Sequence, residues 1–259
     1  MALVVRGTNS LKRERTFEIA GVVAFIVAWC ALSYGGFIKS QFLPSPSDVW
    51  AGLVSFSDRH WLIPAVIGST TRVLHALVFT VLVGVPIGVL MGAFLPVDAF
   101  IRWPLSGLKS VPTTGLIGLI ILWFGLSENA KVVFLVMGSI FYMVMLVRDA
   151  IANVRQDFID VGRDLNATSL DIIVKILLPA ALPLIWGSLI VCSGIMWTYI
   201  VLAEFVSSSE AEIGVGYLIQ VASRQSSSGR MFAALIIIAI VSVLLDAVMN
   251  LIKRKYFNW

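Results

Sequence analysis

Long runs of residues with at most one formal charge restrict this chain more than any other feature. They are Ile19–Ile38, Val73–Leu95, Ala130–Val147, Ala180–Val206 and Met231–Ile252, with a shorter run at Pro112–Gly125. A helix that crosses a bilayer needs about 20 such residues. In lipid only helices and closed barrels can satisfy their own backbone groups. The runs are continuous rather than alternating, so the expected fold is all-α: a polytopic membrane protein with six transmembrane helices. Composition agrees. Apolar residues make up 59% of the 259 and charged residues 13%, against about 45–50% and roughly 25% in soluble domains. A soluble enzyme, a nucleic-acid-binding domain and a disulfide scaffold are thereby disfavoured. Cys30 and Cys192 each sit inside an apolar run and read as packing residues.

The first run follows a basic stretch, residues 1–16, with Arg6, Lys12, Arg13 and Arg15. No small-residue cleavage site follows, and the run is long for a signal peptide, so it reads as an anchor that stays. Lys and Arg distribution then sets the orientation. With the N-terminus in the cytoplasm, 13 basic residues fall on the inner side and 6 on the outer. The inner set includes Arg102, Lys109, Arg148 and the terminal Lys253–Lys255; the outer set includes Arg72 and Lys131. Both termini are expected inside. The net charge of +4 is thus a topology signal and not a nucleic-acid footprint.

Two local features stand out in the outer half of the chain. Phe42–Trp61, capped by Ser47, reads as an amphipathic helix lying on the membrane surface, with Val49, Leu53 and Val54 on its apolar side. Gly84, Gly88 and Gly92 recur at four-residue spacing in the second run, which favours a close helix–helix seam. Pro86 among them is expected to kink the helix.

The polar stretch 148–179, between the fourth and fifth runs, is the informative one. A short helix is expected to end near Leu165, with Asn166 as a left-handed terminator. A second begins at Thr168 with Asp171 three residues on, a capping-box spacing. Ile172, Ile173, Ile176 and Leu177 share its face. Two such helices form a knob that either seats in a groove of a soluble partner or packs on its own bundle.

In this stretch the sequence resembles the inner-membrane permeases of binding-protein-dependent ABC importers. That family carries Glu-Ala-Ala, three residues, Gly, nine residues, Ile, one residue, Leu-Pro. The same register here holds Asp160-Val161-Gly162, Asn166, Ile176 and Leu178-Pro179. Leu43-Pro44-Ser45-Pro46, Leu122-Trp123-Phe124-Gly125-Leu126, Ala203-Glu204 and Gly214-Val215-Gly216-Tyr217 are similar to the group that imports nitrate, aliphatic sulfonates and taurine. The resemblance spans residues 17–259. It implies ATP-driven uptake of a small solute, an oxyanion of the sulfonate, taurine or nitrate type. It also implies a second permease copy, two cytoplasmic ATPase subunits that bind the ATP, and an external solute-binding protein. The chain itself would be neither an enzyme nor a cofactor carrier. Asp160, Val161, Gly162, Asn166, Ala167, Ile176, Leu178 and Pro179 would couple it to the ATPase. A secondary transporter or channel, and a membrane anchor whose loop scaffolds a soluble protein, are the alternatives.

The chemistry-bearing side chains are few. No phosphate-binding loop, HExxH or GxSxG is present. Glu204, near the outer end of the fifth run, is either a gate or a hydrogen-bonded anchor. Arg72 either attracts an anion or snorkels to the interface. Trp197, Thr198 and Tyr199 either line a path or pack. Gly214 and Gly216 form either a gate loop or an ordinary turn. His75 reads as a satisfied helix residue, and Asp246 either pairs with Lys253 and Arg254 or snorkels.

Overall fold

The computed structural model describes residues 11–205 and 213–257. Every regular element among them is helical. Val206, the expected end of the fifth run, lies outside the described residues. α1 (Leu11–Tyr34) buries none of its apolar window within the chain. It is tied to the next segment by Trp29 Nε1, which donates to the Pro44 carbonyl at 3.0 Å.

α2 (Pro46–Asp58) starts two residues earlier than a Ser47 cap would give. Ser45 is the cap, because Pro46 supplies the first helical φ and Asp48 returns a bond from the third position. Ser47 instead meets the Tyr34 hydroxyl at 3.1 Å. The buried face of α2 is Val49, Gly52 and Phe56. Gly52 approaches the backbone of Gly229 and Arg230 so closely that a Cβ would lie 2.9 Å from the Gly229 carbonyl oxygen. The helix is therefore docked on the bundle, where a surface helix was expected.

α3 (Leu62–Ala93) is longer than its apolar run and stays one helix through Pro86. α4 (Leu95–Lys109) follows after a single residue, Phe94. A 3-10 turn, Thr113–Leu116, leads into α5 (Ile117–Phe124). The expected third span is thus short and broken: α4 and the Thr113–Phe124 arm meet at 84°. Five helices are long and apolar enough to cross a membrane, and six spans are reached when this bent pair counts as one. Lys109, assigned above to an inner loop, closes α4 and lies 5.5 Å from the Tyr142 ring centroid.

α6 (Glu128–Ala152) is capped by Ser127 and packs along α3 more extensively than any other helix pair. The glycine spacing explains that contact. A Cβ on Gly84 would lie 2.8 Å from Met143, on Gly88 2.7 Å from Val147, and on Gly92 2.6 Å from Ile151. Without side chains at these positions the two backbones approach and van der Waals contact replaces the hydrophobic drive that lipid does not supply. α7 (Gln156–Asp164) and a three-residue turn α8 (Ser169–Asp171) precede a π-turn, Ile172–Leu177. α9 (Leu178–Phe205) continues from it directly, so the whole of Ser169–Phe205 is one span. α10 (Val215–Arg224) and α11 (Ser228–Tyr256) complete the chain. Asp246 of α11 is half-buried, and its Oδ1 accepts no hydrogen bond among the described residues. Lys253 does not pair with it; its Nζ would lie 3.3 Å from a Cβ on Gly187 of α9. His75 is exposed on α3.

Gly88→Ala is expected to lower the thermal stability of the detergent-solubilised protein by about 1–3 kcal/mol, since the added methyl overpacks the seam. Gly21→Ala on α1 meets nothing within 4 Å and is expected to be neutral or stabilising, because it removes glycine's entropic cost in a helix. Thermal melts of the two variants against the parent check this.

Candidate functional site

Two polar assemblies interrupt the apolar bundle, one at each end. The first joins α3, α6, α9 and α10. Arg72 is 5% exposed and Glu204 2%, so the snorkelling reading of Arg72 does not hold. Its guanidinium donates to both oxygens of Glu128 at 2.6 Å, a bidentate pair, and through Nη1 to Glu204 Oε1 at 2.8 Å. Lys131, also buried, donates to Glu128 Oε1 at 2.6 Å. Two cations and two carboxylates balance, as burial requires.

Glu204 does a second task. Its Oε1 accepts from Ser69 Oγ at 2.7 Å, and its Oε2 accepts from the Gly216 amide at 2.7 Å. Ser69 Oγ in turn accepts from the Val215 amide at 2.9 Å. These are first-turn amides of α10, which have no partner inside the helix and carry the positive end of its dipole. A carboxylate at this position caps them. Gly214 and Gly216 permit the approach: a Cβ on Gly214 would collide with the Glu204 carboxyl group, and one on Gly216 would lie 2.8 Å from Glu204 Cβ. Glu204 therefore matches the anchor reading in its contacts, and Arg72, Glu204, Gly214 and Gly216 form one unit. Glu128 and Ser69 were not legible as members. Glu128 reads in sequence only as the acidic first residue of a capped helix, and Ser69 gives no signal.

Trp197 and Tyr199 stand apart from this unit. Trp197 is buried with its indole Nε1 unpartnered among the described residues. Tyr199 packs edge-on against Phe134, ring centroids 6.0 Å apart, and occupies the space over Gly138. Thr198 is exposed and donates to the Ile195 carbonyl at 2.7 Å.

The second assembly is the polar stretch at the opposite end of α6 and α9. The Ala167 amide donates to the Gly162 carbonyl at 3.0 Å and the Asn166 amide to the Arg163 carbonyl at 2.9 Å. With Asn166 at φ 56° this is a Schellman termination of α7. Thr168 and Asp171 make the expected capping box. Gly162 is buried, and a Cβ there would lie 2.6 Å from Ile176 Cδ1, so α7 rests directly on the π-turn. Ile173 and Leu177 are buried beneath, with Ile172, Ile176, Ala167 and Leu178 half-buried. The opposite side of α7 is open: Phe158, Val161 and Leu165, spaced i, i+3, i+7, are exposed, Leu165 to 77%. Asp160 is exposed beside them and is held by Gln156 at 3.0 Å and Arg163 at 3.3 Å. Pro179 is exposed at the foot of α9. It lacks an N–H and crowds the carbonyl four residues back, and the widened π-turn lies immediately before it.

Asp98 stands behind this knob, buried, and accepts from Arg148 at 3.0 and 2.7 Å and from Arg102. It ties the start of α4 to the end of α6. Among the described residues no group of three or more His, Cys, Asp or Glu side chains could hold a metal ion.

A helical bundle with an exposed elbow of this sequence matches a known family over residues 84–258: the binding-protein-dependent transport system inner membrane component. The chain belongs to this family. The taurine transport system permease TauC of Escherichia coli is 25% identical over 254 residues, covering 96% of this chain and 91% of that protein. The putative aliphatic sulfonates permease SsuC of Bacillus subtilis is 34% identical over 176 residues, covering 68% and 63%. The bicarbonate permease CmpB of Synechococcus elongatus is 25% identical, covering 91% and 87%. In fold, the chain is similar to a chain of the inward-facing MetNI methionine ABC transporter, with TM-score 0.68 over 77% of this chain and 97% of that one, at 19% identity. This protein is accordingly a multi-span permease subunit of an ABC importer.

Arg72→Met leaves the buried Glu204 and the half-exposed Glu128 without their shared cation, and is expected to cost about 3–5 kcal/mol through the buried pair. Combining it with Glu204→Gln, whose amide oxygen still accepts from Gly216, is expected to cost less than the sum of the two single changes. Denaturation of the four proteins in a double-mutant cycle checks this.

Proposed function

We propose that this permease imports a small oxyanion, an aliphatic sulfonate, taurine or nitrate, at the expense of ATP hydrolysed by a separate chain. The functional unit is a pair of identical permease subunits, two cytoplasmic ATPase subunits and an external solute-binding protein. The membrane is the bacterial plasma membrane, with both termini and the 1–16 tail in the cytoplasm; residues 17–259 form the permease domain. The excess of Lys and Arg on that side supports the orientation. The relatives for taurine, sulfonates and bicarbonate support a solute that carries an anionic oxygen-rich group.

One observation carries the coupling: α7 seats one face on its own bundle through Gly162 and turns an apolar row outward. An exposed apolar row on a short helix closed by a Schellman turn fits a helix-in-groove contact. Asp160, Val161 and Asn166 form the outward part of that contact. Gly162, Ala167, Ile176, Leu178 and Pro179 connect it to α9. ATPase closure then moves the knob, and the knob moves α9. At the other end, the cluster of Arg72, Glu204, Gly214 and Gly216 acts as the outer gate by holding α10 against α3 and α9. Trp197 and Tyr199 serve as path-side packing of α9.

The test is ATP hydrolysis by the complex reconstituted with its ATPase and binding protein, screened over taurine, other aliphatic sulfonates, nitrate and bicarbonate. One of these anions is expected to stimulate turnover. Val161→Asp is expected to weaken co-purification of the ATPase by roughly tenfold or more, since it puts an unpaired charge into an apolar contact. Uptake that persists without any ATPase would overturn the reading in favour of a secondary transporter.

A further inference from the structure

Between α4 and α5 the chain abandons helical geometry inside the bundle. α4 stops at Lys109, the 3-10 turn begins at Thr113, and the arms diverge by 84°. The depth of this break can be read from α6. Thr113 is buried, with its methyl 3.5 Å from where a Cβ on Gly138 would sit, and the Lys109 ammonium is 5.5 Å from the Tyr142 ring centroid. Gly138 and Tyr142 lie between Lys131 of the outer cluster and Arg148 of the inner ion pair. At 1.5 Å per residue, Tyr142 is roughly 16 Å along the axis from Lys131 and about 9 Å from Arg148. Its ring leans toward the helix N-terminus, further from Arg148. Lys109 therefore sits within the hydrocarbon depth rather than in a loop beyond it.

Lys109 is exposed on this chain, as are Ser110, Thr114 and Gly115 around the break. Among the described residues it has no carboxylate partner; the Tyr142 ring is its one charged or aromatic contact. A free ammonium and interrupted backbone at this depth do not face lipid tails. Such groups line a water-filled cavity or lie against protein. The surface that carries them is thus a face of the bundle turned away from lipid. The outer cluster cannot supply charge selection, because Arg72 is already engaged by two carboxylates.

We propose that Lys109, presented at the broken span, is the anion-selective residue of the translocation path, and that its ligand is a small oxyanion. The assignment rests on the oxyanion reading above. A lysine is a compact point charge with three donors on a flexible stem. Cation–π contact with Tyr142 holds it in place without neutralising it. A single charge with no carboxylate partner attracts an anion yet releases it, as conduction requires.

The test uses the full complex with its ATPase and binding protein in liposomes, with taurine, nitrate and bicarbonate as probes. Lys109→Gln is expected to lower uptake of the transported probe by roughly tenfold or more, Lys109→Arg to retain most of it, and Lys109→Glu to abolish it. In a chain freed of Cys30 and Cys192, Lys109→Cys is expected to react with an anionic, membrane-impermeant thiol reagent, and the probe to slow that reaction. Wild-type uptake by Lys109→Gln, or inertness of Lys109→Cys to the reagent, overturns the assignment while leaving the oxyanion reading in place. A wild-type complex that transports only solutes lacking a sulfonate, carboxylate or other oxyanion group overturns both. Retention of transport by Lys109→Arg separates a charge requirement from a folding defect.

Discussion

The glycine-lined approach of α3 to α6 sets the register on which both polar assemblies depend. Lipid offers helices no hydrophobic reason to associate, so association must come from contact area and from polar pairs. Gly84, Gly88 and Gly92 supply the first by admitting Met143, Val147 and Ile151 to the α3 backbone. Ion pairs supply the second near both ends of the seam. Arg72 meets Glu128 at one end, and Asp98, just past α3, meets Arg148 at the other. A shift of one turn along the seam would leave the buried Arg72 and Asp98 without these partners. The seam and the ion pairs therefore specify each other, and the pair behaves as a fixed frame.

Against that frame α9 is the element that spans from knob to cluster. Ser169–Phe205 runs 37 residues as one span, about 55 Å at helical rise. Its inner end rests under α7 through Ile176, and its outer end carries Glu204 into the cluster. The π-turn at Ile172–Leu177 is the one irregular stretch along it. Wide turns of this kind often sit where a helix must adjust. A displacement of the knob can be absorbed there or passed along the rod to the α10 cap, in the manner of small shear motions between packed helices.

The sequence told most where a single residue type answers a single physical need. Asn166 terminates α7 because it tolerates positive φ, Thr168 caps with Asp171, and the glycine spacing predicts the seam. These are local rules and they held locally. Ser45 took the cap from Ser47 because Pro46 and Asp48 act together, a three-residue effect that a one-residue rule misses. The broken third span was not legible, since Pro112–Gly125 has the composition of a span and only the path of the backbone shows the bend. The outer cluster was half legible. Arg72, Glu204, Gly214 and Gly216 each drew notice, but their union depends on α3 extending a full three turns before its apolar run, and Ser69 and Glu128 entered only with the fold. Lys109 read as an inner-loop charge because charge counting has no measure of depth.

The central claim is that the exposed face of α7 is a handle for an ATP-hydrolysing subunit. Site-specific photo-crosslinking from position 165 in membranes containing the whole transport complex measures this directly. The account predicts a crosslink to the ATPase subunit that disappears when that subunit is omitted. A crosslink to the external binding protein, or labelling of position 165 by an impermeant reagent added outside intact cells, would contradict it.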